Sequence, residues 1–196
     1  MIFFTADHHF YHTNIIAYCK RPFNSVEEMN DELVRRWNSV VDINDTVYYL
    51  GDFSLARRAV EVFAPRLNGE KYLIMGNHDQ CHPIHKKKAE LGLQTYIAAG
   101  FKTFELEKMI EISGQNVLLN HMPYREEIAE YQLKNNGNQP TLKYNNLRPK
   151  DKGLWLLHGH VHEKWKIRDH MINVGVDVWD FFPVPITEIE KIINFT

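Results

Sequence analysis

Only two cysteines, Cys19 and Cys81, occur in 196 residues, and neither stands in a C-x-x-C pair. That leaves no disulfide framework and too few thiols for a structural zinc site, and a reducing compartment is the simpler reading. No apolar run approaches the ~20 residues that span a bilayer. The N-terminus runs Met1-Ile2-Phe3-Phe4-Thr5-Ala6 straight into Asp7, without the basic start and apolar stretch of a secretory signal. A cytoplasmic protein with no membrane partner is expected. Net charge is nearly absent too: Lys+Arg 23 against Asp+Glu 25 leaves -2, so charge does not indicate nucleic acid as a partner. Internal repeats and low-complexity tracts are missing. What remains is a single domain over residues 1–196, 44% hydrophobic, with enough apolar material for a sizeable core. Nothing in the composition points to an oligomeric state.

The residue present in excess is histidine, at 11 copies, and its positions carry the argument. Short apolar runs of strand length recur at 2–6, 46–50, 72–75, 117–119, 154–157 and 172–176. Residues 102–106 and 109–112 read as further strands that could pair as a hairpin. Between them lie helical patterns. Ser25-Val26-Glu27-Glu28 has the form of a capping box and opens a helix through Val41, with Met29, Leu33, Trp37 and Val40 or Val41 on one face. Residues 57–63 and 83–91 are weaker helix candidates, and 187–193 closes the chain as helix or strand. Strands alternating with helices predict an α/β architecture. Residues 132–153 differ. Asn135-Asn136-Gly137-Asn138-Gln139-Pro140 is turn chemistry, flanked by Lys134, Lys143, Arg148, Lys150 and Lys152. A basic loop of this length could fold over an anionic substrate or be an inert surface loop.

Five apolar runs are followed at once by polar clusters. These are Asp7-His8-His9, Gly51-Asp52, Gly76-Asn77-His78-Asp79, Asn120-His121 and His158-Gly159-His160-Val161-His162. Ligands of open α/β sheets bind beyond the carboxyl ends of strands, so the five clusters can converge on one place. Any one alone is commonplace, since a Gly-Asp is usually a turn and a His-x-His pair often lies in an ordinary strand. Together they mix carboxylate, imidazole and amide oxygen, which suits a catalytic site for manganese, iron or zinc. Gly51, Gly76 and Gly159 permit tight turns and close approach at the strand ends.

Asp-x-His, Gly-Asp, Gly-Asn-His-Asp, a lone His and Gly-His-x-His, in this order over residues 7–162, resembles the five-motif signature of the calcineurin-like metallophosphoesterases. The resemblance implies a four-layer α-β-β-α sandwich with two facing mixed sheets. It implies two divalent metal ions, manganese foremost, with iron, zinc or nickel as alternatives. Asp7, His9 and His162 match the ligands of one metal, and Asn77, His121 and His160 those of the other. Asp52 matches the bridging carboxylate. His78 matches the catalytic histidine that binds no metal, and Asp79 the acidic position beside it, orienting or charging the site. The implied reaction is hydrolysis of a phosphate ester by a hydroxide held between the metals, with His78 protonating the leaving oxygen.

Departures narrow the class. Protein Ser/Thr phosphatases of this family extend Gly-Asp to Gly-Asp-x-x-Asp-Arg-Gly, whereas Gly51-Asp52-Phe53-Ser54-Leu55-Ala56-Arg57 lacks the second Asp and the Arg-Gly. A phosphodiester or small nucleotide is therefore the expected substrate, and the chain resembles the minimal-size bacterial and phage branch. His12, Arg57 and Arg125 are candidate substrate contacts, each with a bland alternative as a cap or a solvated face. His8, His82, His85, His158 and His170 read as structural or surface residues, Cys81 as no nucleophile, and Trp155, Trp165 and Trp179 as core or rim. Two other readings compete: a nuclease on single-stranded or repair-intermediate nucleic acid, and a non-catalytic metal-binding scaffold, which would have no need of His78.

Overall fold

Strand β1 (Ile2–Thr5) pairs in parallel with β2 (Thr46–Tyr49), and β2 with β3 (Glu70–Ile74). The computed structural model describes residues 1–125 and 144–195, so Lys134, Lys143 and the turn 135–140 lie outside the described residues. Strand β4 (Phe101–Glu105) adds to β3 in parallel, and the short β10 (Val184–Pro185) closes the other edge antiparallel to β1. The first sheet thus runs β10-β1-β2-β3-β4. The second runs β5 (Glu107–Ile112), β6 (Gln115–Asn120), β7 (Trp155–His158), β9 (Met171–Asn173) and β8 (Ile167–Arg168). Its centre, β6-β7-β9, is parallel, while β5 and β8 pair antiparallel at its edges. Both sheets are mixed, and the architecture is α/β as expected.

The alternation of side chains along each strand decides what lies on either face. From the first sheet Phe4, Leu50 and Ile74 face Val117, Leu119, Leu157 and Ile172 of the second, forming the inter-sheet core, which Ile189 and Ile193 of the C-terminal helix (Ile186–Phe195) complete. The opposite face of the first sheet, with Phe3, Val47, Tyr49 and Leu73, packs against α2 (Val26–Val40), α3 (Arg57–Phe63) and α4 (Lys87–Ala98). The outer face of the second sheet bears Leu118, Leu156 and Met171, against which Tyr124 and Trp165 pack. No helix among the described residues is long and apolar enough to cross a membrane.

Helix α2 shows how directly local sequence acts. Ser25 Oγ accepts from Glu28 N–H at 3.1 Å, the first half of the capping box. The second half differs from expectation: Glu28 reaches past Ser25 to Asn24, taking its backbone N–H at 2.7 Å. Met29, Leu33 and Trp37 are buried on one face, and Val41, not Val40, continues it.

Two expectations need correction, and one open alternative is decided. Residues 102–106 and 109–112 form no hairpin; β4 belongs to the first sheet and β5 to the second, so the chain crosses between sheets at Leu106. The hairpin is β5–β6, turned by Ser113 and Gly114, both at positive φ. Residues 83–91 are not one helix. A 3-10 turn, Pro83–His85, ends at Lys86 with φ 54°, and α4 then runs on to Ala98. The closing segment is helical.

Replacing Ser25 by Ala should lower stability by about 1 kcal/mol, the usual value of an N-cap hydroxyl. Urea denaturation should show a lower midpoint at unchanged slope; an unshifted midpoint would mean that the Asn24–Glu28 bond holds the helix start alone.

Candidate metal centre

The ends of β1 and β2 are sewn together before any side chain is considered. Asp7 N–H donates to Gly51 O at 3.0 Å, His9 N–H to Asp52 O at 3.2 Å and Phe10 N–H to Phe53 O at 2.9 Å. The second sheet joins through His160 N–H, which donates to Asp7 Oδ2 at 2.8 Å, and within that sheet Gly159 N–H donates to His121 O at 3.0 Å. Two glycines make this approach feasible. A Cβ at Gly51 would collide with the backbone of Gly76, and one at Gly159 with Asp7 Oδ2.

Two triads result. The ligand atoms of Asp7, His9 and His162 lie within 4.8 Å of one another, and so do those of Asp52, His121 and His160. Asp52 belongs to the second triad but also faces the first: its Oδ2 stands 3.4 Å from His121 Nε2 and 3.7 Å from His9 Nε2. Its other oxygen accepts from His78 N–H at 2.8 Å. Asn77 is buried, and its backbone carbonyl meets the His85 ring at 3.1 Å.

The donor set fits divalent cations. Among the described residues nothing hydrogen-bonds Asp7 Oδ1, His9 Nε2, Asn77 Oδ1 or His121 Nε2, although all are buried. Buried polar atoms are almost always partnered, so a cluster of orphaned ligand atoms points to a cation as their partner. The electrostatics agree. Burial pushes the Asp7 carboxyl up to about 6. Burial opposes charge on the imidazoles of His121 and His162, yet Asp52 raises the first to about 9 and Asp7, with Asp177, the second to about 11. The carboxylates hold positive charge at these two rings, where metal ions would supply it instead.

Asp79 lies beneath the centre rather than in it. Its fully buried carboxylate accepts from Asp52 N–H and Phe53 N–H at 2.9 Å, Gly76 N–H at 2.8 Å and Tyr96 Oη–H at 2.6 Å. The expectation that it orients the site takes this physical form: it fixes the backbone that presents Asp52 and Asn77. A catalytic role for Asp79 does not fit, since its oxygens are engaged by the fold.

His78 belongs to neither triad. It is half-buried, its ring 5.8 Å from that of His9. His12 is also beside His9, at 5.7 Å between rings. Arg57 stands exposed on the first turn of α3 and takes no part in the bonds described above. Arg125 is exposed and lines a neighbouring cavity with Arg148, its backbone N–H bonded to Pro149 O. His8 and His158 are buried structural residues, both pushed down to about 3 by burial; the first meets Tyr49 Oη at 2.8 Å and the second packs at a tilt against the Trp165 ring. His82 is no surface residue: it is buried and shares a cavity with Asn77 and His121. Burial raises the Cys81 thiol, consistent with an inert side chain.

Sequence reasoning missed Arg21 and Asp177. Arg21 is buried and donates from Nε and Nη2 to the two Asp177 oxygens at 2.8 and 2.9 Å, and also to the carbonyls of Asp7 and His8. Asp177 in turn faces His162 Nδ1 at 3.4 Å. Gly175-Val176-Asp177 repeats the pattern of a polar cluster after a strand, the signal that could have revealed it. Arg21 has no such signal.

The model of the calcineurin-like phosphoesterase family matches residues 1–179. The chain belongs to that family. A Methanocaldococcus jannaschii protein, itself uncharacterized, is 34% identical over 98% of this chain and 91% of its own length. The Gene 66 protein of Mycobacterium phage D29 is 29% identical over 98% of the chain and 96% of its own length. Among solved structures, a protein of unknown function from Aquifex aeolicus is similar with TM-score 0.63 and 28% identity, covering 98% of both chains. The triads thus belong to a calcineurin-like phosphoesterase, a family of metal-dependent hydrolases of phosphate esters.

Replacing Asp79 by Ala would strand three backbone N–H groups and the Tyr96 hydroxyl in the interior. A loss of about 3–5 kcal/mol, as for a broken buried charge network, is expected in chemical denaturation. Tyr96→Phe, which removes one donor of four, should cost about 1 kcal/mol. Equal losses for the two variants would show that the backbone bonds to Asp79 contribute nothing.

Proposed function

We propose that this phosphoesterase hydrolyses a phosphodiester or small nucleotide at a pair of divalent metal ions, Mn²⁺ foremost. The observation that carries the reading is the position of Asp52, whose Oδ2 lies within 4 Å of a ligand nitrogen from each triad. Asp7, His9 and His162 would hold one ion, Asn77, His121 and His160 the other, with Asp52 shared. Two such ions supply Lewis-acid charge for the phosphoryl oxygens and bring the pKa of water toward neutrality.

The chain's own residues do the rest. Asp52, whose Oδ2 faces His121 and His9, would bring a negative charge that offsets the repulsion of the two ions. Asn77 contributes an oxygen without charge. His78, fixed through its backbone N–H to Asp52, stands outside both ligand sets and would protonate the departing oxygen. His12, whose ring lies 5.7 Å from that of His9, would be a substrate contact. A scaffold would need the ligands but not His78, which favours the enzymatic reading. The missing Asp and Arg-Gly after Gly51-Asp52 favour diesters or nucleotides over phosphoproteins.

Metal analysis of chain reconstituted with Mn²⁺ should give about two ions per chain; saturation at one would overturn the paired centre. Asp52→Asn should weaken metal binding more than Asp7→Asn, because one carboxylate serves both ions and the other one ion. Equal affinities in the two variants would contradict the shared role.

His78→Ala should retain its metals and lose about 10²–10⁴-fold in kcat on a diester with an alkoxide leaving group. The loss should shrink with a nitrophenolate, which departs without a proton. A variant impaired equally on both esters would remove His78 from proton transfer.

A further inference from the structure

Two cavities border the metal centre, and their chemistry is opposite. The first, about 360 Å³, has Asn77 and His121 in its wall. Met75, Met122 and Leu147 give it apolar surfaces, and Asn146 and Glu107 polar edges. This volume is in the range of ligand sites, about 300–1,000 Å³, and the lining suits a flat heteroaromatic ring with hydrogen-bonding edges. Glu107 disfavours a second anion there.

The second cavity, about 490 Å³, has in its wall Val161, the residue between His160 and His162 in the chain. Arg125, Arg148, Lys164 and Arg168 line it, against the carboxylates of Asp151 and Asp169. Asp151 is engaged by His170 at 2.9 Å, and Asp169 stands 3.9 Å from Arg168 Nε. The excess of cations suits a phosphoryl group, which guanidinium groups bind through paired N–H donors. Arg148 lines both cavities, so it stands where the two meet.

We propose that the substrate is a strand of nucleotides whose repeating unit, a nucleoside phosphorylated at its 3′ and 5′ oxygens, is bound at three points. The scissile phosphate lies at the metals, the base in the first cavity and the neighbouring phosphate in the second beside Arg148. This rests on the phosphoesterase reading above and deepens it from small esters in general to single-stranded nucleic acid. It also reconciles that substrate with a net charge of -2, since the cations needed are gathered in one cleft.

Calorimetric titration of the Mn²⁺-loaded chain with adenosine 3′,5′-bisphosphate and with adenosine 5′-monophosphate tests it. The bisphosphate should bind about tenfold more tightly, the gain of one charge-assisted phosphate contact. The double variant Lys164→Ala, Arg168→Ala should bring the ratio of the two affinities close to one. Leu147→Asp should weaken both nucleotides relative to inorganic phosphate. A ratio near one in the parent would overturn the proposal. So would an equal fall in the ratio for Arg66→Ala, which removes a cation paired with Asp31 on the helical side of the first sheet. Turnover of bis(p-nitrophenyl) phosphate reports separately on the phosphoesterase reading. If that ester is hydrolysed while the affinities are equal, only the nucleotide inference fails. If the affinities differ as expected without turnover, only the catalytic reading fails.

Discussion

The buried carboxylate of Asp79 holds the geometry of the centre. Three backbone N–H groups and one phenol converge on its two oxygens, and those groups come from the turns after β2 and β3 and from α4. A peptide turn at the end of a strand ordinarily spends its N–H groups on water. Here the turns are buried where water is scarce, and an unpaired N–H costs free energy comparable to a lost hydrogen bond. Asp79 resolves that problem, and in doing so fixes where Asp52 and Asn77 point. Burial, with the charge of Asp52 nearby, pushes its carboxyl up to about 6, while the donated bonds from Tyr96, Gly76 and Phe53 pull the other way. The fold thus keeps one carboxylate beneath the centre so that another can face it.

The backbone at the ligands is strained in a consistent manner. Asp7, His9, Asp52, His160 and His162 all have φ between 52° and 70°, the left-handed region that most L residues avoid. Such positions carry about 1–3 kcal/mol each and persist only where the surroundings over-determine them. Asp and His are among the residues that enter this region most readily, so the side chains that bind cations also tolerate the turn. The left-handed residue bends the chain sharply as it leaves the strand, which lets Asp7 and His9 serve one cluster with a single residue between them. The strain is offset by the interlocking bonds between β1 and β2 and by His160 N–H on Asp7.

The convergence of strand ends was legible because its signal is local: an apolar run followed by a ligand-type residue, five times. The alternation of strands with helices pointed to the α/β class, whereas the two facing mixed sheets came from the family resemblance. What was not legible depends on contacts between distant segments. The hairpin reading of 102–112 failed because two adjacent β runs with a short link usually pair, and nothing in Glu105-Leu106-Glu107 announces a change of sheet. Helix α4 was cut short because Gly92, a poor helix residue, stands in its middle; the reason for a glycine there is tertiary, since a Cβ would strike the carbonyl of Gln80. Arg57 seemed attractive by nearness in sequence to Asp52, but a helix start carried it to the exposed surface. Arg21 could not be found at all, because an arginine in a loop is usually solvated and only the structure buries it.

Arg21 also explains why Asp177 can stand so near the centre without joining it. Burial alone would raise the Asp177 carboxyl, but bonds from His162 and Arg21 hold it down at about 2, so it is fully ionised. A free carboxylate in this place would compete with Asp7 for a cation. Paired through both oxygens with a guanidinium, it instead presents a neutralised acceptor to His162 Nδ1, which turns that ring's other nitrogen toward Asp7 and His9. The remaining donors of Arg21 hold the carbonyls of Asp7 and His8, the two residues where β1 turns into the centre. One buried cation therefore orients ligands from both sheets, and the separation between a carboxylate that binds metal and one that only positions an imidazole depends on which of them the arginine reaches.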